Sequence, residues 1–169
     1  MPPIRLESVS EEHLAGLEQM LGDEDVLRFT RVPEPAPPGF AGVWLERYEE
    51  GRREGTREAF AILEENAFLG IALAVSINRE EQTVELGYVV APWARGRGVA
   101  TEALRQLTEW SLTTLDALRV ELWIDVENEP SKRVADRCGY VREGVIRSAY
   151  FKQGQRHDFE IWSRLPTDP

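Results

Sequence analysis

The sequence predicts an α/β protein on a mixed sheet, and three observations predict it. Ala59–Leu63, Phe68–Ile77 and Thr83–Val90 are strand-like runs separated by hairpin-length spacers, which gives an antiparallel meander. The third run leads into a glycine-rich loop, an amphipathic helical stretch and another alternating run, Val120–Val126. A strand, helix and strand joined by a crossover of that length imply a right-handed parallel βαβ unit. Two further strand-like runs, about Tyr140–Phe151 and His157–Leu165, then close the chain as a hairpin around Lys152-Gln153-Gly154-Gln155.

Taken in order, Ile4-Arg5-Leu6-Glu7-Ser8-Val9 alternates as a half-buried strand does. Ser10 is placed to cap a helix whose acidic start, Glu11-Glu12, suits the positive end of its dipole. Leu14, Leu17, Met20 and Leu21 continue it at helical spacing. Residues 31–40 contain four prolines and cannot be regular structure. The next helical stretch puts Phe40, Val43, Trp44, Arg47 and Tyr48 on one side. In the third meander strand, Val84, Leu86, Tyr88 and Val90 share one face, and Glu85, Gly87 and Val89 the other. Ala100, Ala103, Leu104, Leu107 and Trp110 form the apolar stripe of the crossover helix. A short helix from about Pro130 to Cys138 has proline near its start and Gly139 just past its end. No linker or internal repeat divides residues 1–169, so a single domain is expected.

Composition narrows the function. With 42% hydrophobic and 30% charged residues the chain is too apolar for disorder and too charged for a membrane protein. Its net charge of −10 argues against nucleic-acid binding, which needs a broad basic face, and favours a cationic partner. Cys138 is the only cysteine, so an internal disulfide and a cysteine zinc cluster are excluded. His13 and His157 alone leave little for a histidine metal site, and no metal is expected. Met1-Pro2-Pro3-Ile4-Arg5-Leu6 lacks the charged start of a secretory leader. The apolar run Phe68–Ile77 is about half the length of a spanning helix. A cytoplasmic protein with no membrane partner is the expectation.

The segment that carries chemistry runs from Glu85 to Ala103. A strand enters the loop Arg95-Gly96-Arg97-Gly98, and the loop opens a helix at Val99-Ala100. Free amides at a helix start, with the dipole behind them, make an anion site. Gly96 and Gly98 let backbone approach a phosphate, and Arg95 and Arg97 reverse the local charge of an acidic chain. The plain alternative is a turn that needs glycines. A nucleotide P-loop is out, because no Gly-Lys-Ser/Thr is present. A dinucleotide fingerprint fails as well, since Thr101 stands where the third glycine belongs.

This segment resembles motif A of the GNAT superfamily of N-acetyltransferases, Arg/Gln-x-x-Gly-x-Gly/Ala, through Arg95, Gly98 and Ala100. Asn128-Glu129-Pro130-Ser131 and Cys138-Gly139-Tyr140 are similar to the Asn-x-x-Ser … Gly-Phe/Tyr segment of the RimJ/RimL-like branch. Glu143-Gly144-Val145-Ile146-Arg147 and the stretch from Asp158 to Leu165 also fit that branch. The resemblance implies a GNAT-like fold, with acceptor-side helices at about 10–54 and an acetyl-coenzyme A-binding core at about 58–165. It implies acetyl-coenzyme A as donor and a primary amine as acceptor, either a peptide N-terminus or a small cationic amine. It leaves room for a homodimer. By the same resemblance, the motif strand splays from the next parallel strand, the pantetheine lies in the cleft between them, and Val89 and Val90 contact the pantetheine and acetyl group. The amides of Arg95, Gly96, Arg97, Gly98, Val99 and Ala100 hold the pyrophosphate, and Asn128 contacts the cofactor. An N–H at a bulge in the motif strand would serve as an oxyanion hole.

Ser131 shares the apolar face of its helix with Val134, Ala135 and Cys138. It either satisfies local backbone or, as the branch is thought to use it, donates to the departing thiolate. Asn128 is equally placed to be a helix cap. For the base that must deprotonate the acceptor, the position nineteen residues after the motif serine, a carboxylate in some relatives, is here Tyr150. Glu85 is therefore the candidate, with Asp158 the alternative. Cys138 reads as an inert buried thiol, and Trp110, Trp123 and Trp162 as core. Trp93 reads as either packing or a cofactor cover, and His157 has no assigned role. A competing class is a non-catalytic acyl-coenzyme A sensor, which would keep the loop and lose the proton-transfer groups.

Overall fold

The computed structural model describes residues 3–169; Met1 and Pro2, where part of the N-terminal reading falls, lie outside the described residues. The order is β1 (Ile4–Ser8), α1 (Leu14–Met20), α2 (Glu24–Phe29), α3 (Phe40–Glu54), β2 (Glu58–Glu64), β3 (Ala67–Asn78), β4 (Thr83–Val90), α4 (Val99–Thr113), β5 (Arg119–Asp125), α5 (Glu129–Arg137), β6 (Val141–Lys152) and β7 (Gln155–Arg164). The sheet runs β1-β2-β3-β4-β5-β7-β6, and every neighbouring pair is antiparallel except β4–β5. The expected meander, parallel unit and closing hairpin are all present.

Helices cover both faces. On one, α4 and α5 bury Val99, Leu104, Leu107 and Ala135 against Ile62, Ala72, Val84 and Leu122. On the other, α1, α2 and α3 bury Leu17, Met20, Val26 and Leu45 against Ala59 and Ile71. Burial from both sides explains why β3 reads as a nearly continuous apolar run rather than an alternation.

Three sequence expectations shift. The N-terminal helix opens as a 3-10 turn, Glu11–His13, in which the Ser10 N–H donates to the buried His13 Nδ1 at 3.0 Å. Helix α2 carries no strong apolar period; Asp23 starts it by accepting from the Val26 N–H at 3.0 Å. Helix α3 turns the expected Phe40, Trp44, Arg47 and Tyr48 to one side but leaves the fifth, Val43, 58% exposed; its buried positions are Ala41, Leu45, Tyr48 and Gly51. Its small residues admit close packing, and its large ones, Phe40 and Trp44, line a cavity instead.

The feature that positions the site is the parting of β4 from β5. They pair only over Thr83–Leu86 and Arg119–Leu122. Beyond Leu86, β4 stays with β3 as far as Val90, and β5 stays with β7 through Asp125. The backbone groups of Gly87–Val90 that face β5 therefore have no strand partner. The expected bulge lies in β3, not in the motif strand. Val75 is the extra residue, opposite Glu85 and Leu86, and its added twist falls where the pairing ends.

Candidate active site

The parted strands open a cavity of about 360 Å³. Its floor is β4 and β5, and its walls are α3, the segment Arg28–Val32, the start of α5 and the β6–β7 hairpin. A two-residue excess in β6 between Ile146 and Tyr150 lets the hairpin fold over the opening, bringing Tyr150 and Lys152 to the wall. Asp158 holds that irregularity by accepting from the Ser148 N–H at 2.7 Å. It does not line the cavity, which removes it as the alternative base.

Glu85, Val89, Asn128 and Ser131 all reach the cavity, although 46 residues separate the first from the last. Glu85 is partly buried; loss of solvent raises its pKa above the usual carboxylate value, Arg31 opposes the shift and Glu121 adds to it. Asn128 is the cap of α5, its Oδ1 accepting from the Ser131 N–H at 3.3 Å. Among the described residues the Ser131 hydroxyl makes no backbone hydrogen bond, which does not support the local-satisfaction reading. The polar group beside it is the Tyr88 hydroxyl, buried and, among the described residues, without a hydrogen-bond partner of ordinary geometry. Burial pushes the Tyr88 hydroxyl up to about 12, so it is a neutral donor at working pH. Two hydroxyls, one of them an orphan, thus converge where β4 leaves β5.

Val90 and the loop Arg95–Ala100 lie past the cavity, at the C-terminal end of β4. Gly96 and Gly98 have φ of 74° and 80°, and a Cβ on either would meet nothing within 4 Å. The amides from Gly96 to Ala100 stand at the N-terminus of a fifteen-residue helix and donate to no protein acceptor. The arginine side chains are not part of this cradle. Arg95 pairs with Asp23 at 2.5 Å and Asp25 at 3.4 Å, and Arg97 pairs with Glu64 at 2.6 Å. Side-chain donors were expected from both; in this structure nearby carboxylates pair with them, and the groups left open to an anion are the backbone amides.

Several other readings resolve. Burial raises the Cys138 thiol above its usual value, and its Sγ faces the Thr101 carbonyl at 3.4 Å, an inert environment. Trp93 donates to the Phe68 carbonyl at 2.9 Å and is 43% exposed. Trp162 is core and Trp110 packs against it, whereas Trp123 lines the cavity. His157 was missed: its Nδ1 lies 3.3 Å from Asp125 Oδ2, and both residues line the cavity. The strand register alone carries that signal, since β7 inserts between β5 and β6. No group of three or more His, Cys, Asp or Glu among the described residues is arranged to hold a metal ion.

An amide cradle, a split in the sheet and a serine facing it are the features that comparison with known proteins can decide. The family model described as acetyltransferase (GNAT) domain matches residues 4–141. This chain belongs to the GNAT acetyltransferase family. Relatives named as ribosomal or ribosomal-protein acetyltransferases are among those it resembles, in keeping with the RimJ/RimL-like resemblance. The putative ribosomal N-acetyltransferase YdaF of Bacillus subtilis is 29% identical over 104 residues, covering 62% of this chain and 57% of that protein. The spermidine N(1)-acetyltransferase of Escherichia coli K12 is 24% identical over 153 residues, covering 90% and 80%. Among solved structures, RimL, the ribosomal L7/L12 alpha-N-protein acetyltransferase in complex with coenzyme A, superposes with a TM-score of 0.89 at 19% identity, covering 96% and 93%. The chain is thus an acetyl-coenzyme A-dependent N-acetyltransferase of that family.

The residues fit the donor. The open space over Gly96 and Gly98, the free amides and the orphan Tyr88 hydroxyl are what a pyrophosphate and a thioester require of a protein.

Proposed function

We propose that the chain acetylates the α-amine of a peptide or protein N-terminus, by direct attack of that amine on acetyl-coenzyme A held between β4 and β5. The observation that carries the reading is the cavity itself. It is continuous from Ser131 and Tyr88 to the wall of α3 and the closing hairpin, so donor and acceptor sides share one chamber. Glu85 takes the proton of the incoming ammonium, and its raised pKa brings it closer to that of the group it serves. The Ser131 hydroxyl donates to the departing thiolate. The Tyr88 hydroxyl, otherwise unpartnered, supports Ser131. Unpaired backbone of Gly87–Val90 orients the pantetheine as an added strand would. Buried Cys138 offers no nucleophile, which favours direct transfer over an acyl-enzyme.

The peptide acceptor is supported by the names of YdaF and RimL and by the aromatic walls, Trp44, Tyr48, Trp123 and Tyr150, which suit a chain end more than a bare polyamine. The test is a panel of N-terminal peptides and spermidine supplied with acetyl-coenzyme A, with fragment-ion mass spectrometry locating the acetyl group. Acetylation confined to peptide α-amines is the expected result. Exclusive acetylation of spermidine or of lysine side chains would overturn the assignment.

A further inference from the structure

The charge of the cavity is opposite to that of the chain. Against a net −10 overall, the cavity is lined by Arg28, Arg31, Arg47, Arg57 and Lys152, with only Glu85 and Asp125 as carboxylates. Some of these charges are committed. Arg28 pairs with Glu127 at 3.2 Å, and Asp125 faces His157. Lys152 donates to the carbonyls of Leu27 and of Thr30, the latter at 2.7 Å, and loss of solvent lowers its pKa. Arg31, Arg47 and Arg57 remain, and none of them pairs with a carboxylate among the described residues.

These three form one group. All of them, together with Glu85, act on the buried Tyr48 hydroxyl, and Arg31 also acts on Glu85. The Arg31 guanidinium lies 5.4 Å from the Tyr150 ring centroid, and the Arg57 stem packs on Gly51 of α3. Guanidiniums gathered at a cavity without counter-ions are forks that match carboxylates. The bulk negative charge is screened over about 10 Å at 0.1 M salt, so inside the cavity these local charges decide.

We infer that the acceptor carries a carboxylate as well as its amine. The amine goes to Glu85, and Arg31, Arg47 and Arg57 hold the carboxylate. The inference rests on the amine-acetylation reading above and names its substrate class. The carboxylate is that of an acidic side chain just behind the peptide N-terminus. A polyamine would set like charge against three guanidiniums and is selected against.

The test measures amine-dependent thiol release from acetyl-coenzyme A at fixed ionic strength with four acceptors. They are a peptide amide beginning Ser-Glu-Asp, its Ser-Gln-Asn twin, free glutamate and spermidine. The acidic peptide is expected to exceed its neutral twin in kcat/KM by roughly tenfold or more, mainly through KM, with spermidine lowest. Free glutamate above the acidic peptide would overturn the assignment of the carboxylate to a peptide side chain. Arg47 is exposed on α3, so Arg47→Gln is compatible with folding; it should cut the acidic-to-neutral ratio by about tenfold, and Arg47→Lys should restore a preference. Equal kcat/KM for the twins, or spermidine above all others, overturns the inference while leaving acetyl transfer intact. Thiol release that none of the four accelerates overturns the amine reading, and this inference with it.

Discussion

Ser131→Ala separates chemistry from folding more cleanly than any other change at the site. The backbone N–H of Ser131 is held by Asn128 Oδ1 at 3.3 Å, and alanine keeps that bond. The hydroxyl makes no backbone hydrogen bond, so deleting it removes nothing from the cap. Alanine is also the better helix former, by about 0.5 kcal/mol. Fold stability should therefore hold or rise slightly. Turnover should not. A hydrogen bond to a charged partner is worth about 1.5–3 kcal/mol, and each 1.36 kcal/mol is a factor of ten in rate. If the hydroxyl meets the departing thiolate, kcat should fall roughly ten- to a hundred-and-fifty-fold. The acceptor KM should stay nearly constant, because the bond forms only as the thioester breaks. The assay is steady-state thiol release with a saturating peptide acceptor, run beside urea melts of both proteins. Full kcat in the variant would return Ser131 to a structural role. A fall in kcat matched by a comparable loss of stability would show that the cap, not the chemistry, had been damaged.

Three more outcomes are expected. Glu85→Gln should remove the acidic limb of the kcat/KM profile, a limb lying above the ordinary carboxylate range because burial raises this group; an unchanged profile would discard Glu85 as base. The same raised pKa means that folding stability falls as pH rises through it, so Glu85→Gln should melt no lower than the parent at neutral pH. Gly98→Ala places a Cβ in the open space over the loop and asks alanine to hold a φ of 80°; calorimetry should show weakened coenzyme A binding, with a stability loss of about 1 kcal/mol. Glu143 is held down to about 2, first by the Arg119 guanidinium and then by the Ser163 hydroxyl. Its contribution is present above its ordinary 4.5 and lost as pH falls toward about 2. Its side chain is 42% exposed, so Glu143→Gln should cost only about 1 kcal/mol at neutral pH, read as a lower urea midpoint with a flattened acid dependence.

The strands and the crossover helix were legible because their periods are strong and their spacers short. The phosphate loop was legible because a strand, two glycines and a helix in that order have few other uses. What the sequence concealed depends on register and on pairing across long separations. The β4–β5 split follows from where pairing stops, which no local pattern states; only the family resemblance implied it. His157 meets Asp125 only because β7 enters the sheet beside β5. The pairing of Arg95 and Arg97 with Asp23, Asp25 and Glu64, remote in sequence, was hidden in the same way. The side of α3 that holds Phe40, Trp44, Arg47 and Tyr48 was legible, but not that it faces a cavity while Ala41 and Gly51 pack the core. Net charge says nothing of the cavity's lining: a total of −10 concealed a cavity whose uncommitted side chains are mainly arginines.

The central claim is direct transfer of the acetyl group to an amine in a chamber shared with the donor. Rapid mixing of stoichiometric protein with acetyl-coenzyme A, with and without a peptide acceptor, tests it most directly, followed by intact-mass analysis of protein and peptide. The account predicts no thiol release and no acetylated protein without the peptide. With the peptide, it predicts one thiol released per acetylated N-terminus. A burst of thiol matched by acetylated protein before peptide is added, or tight donor binding with no release in its presence, would contradict it.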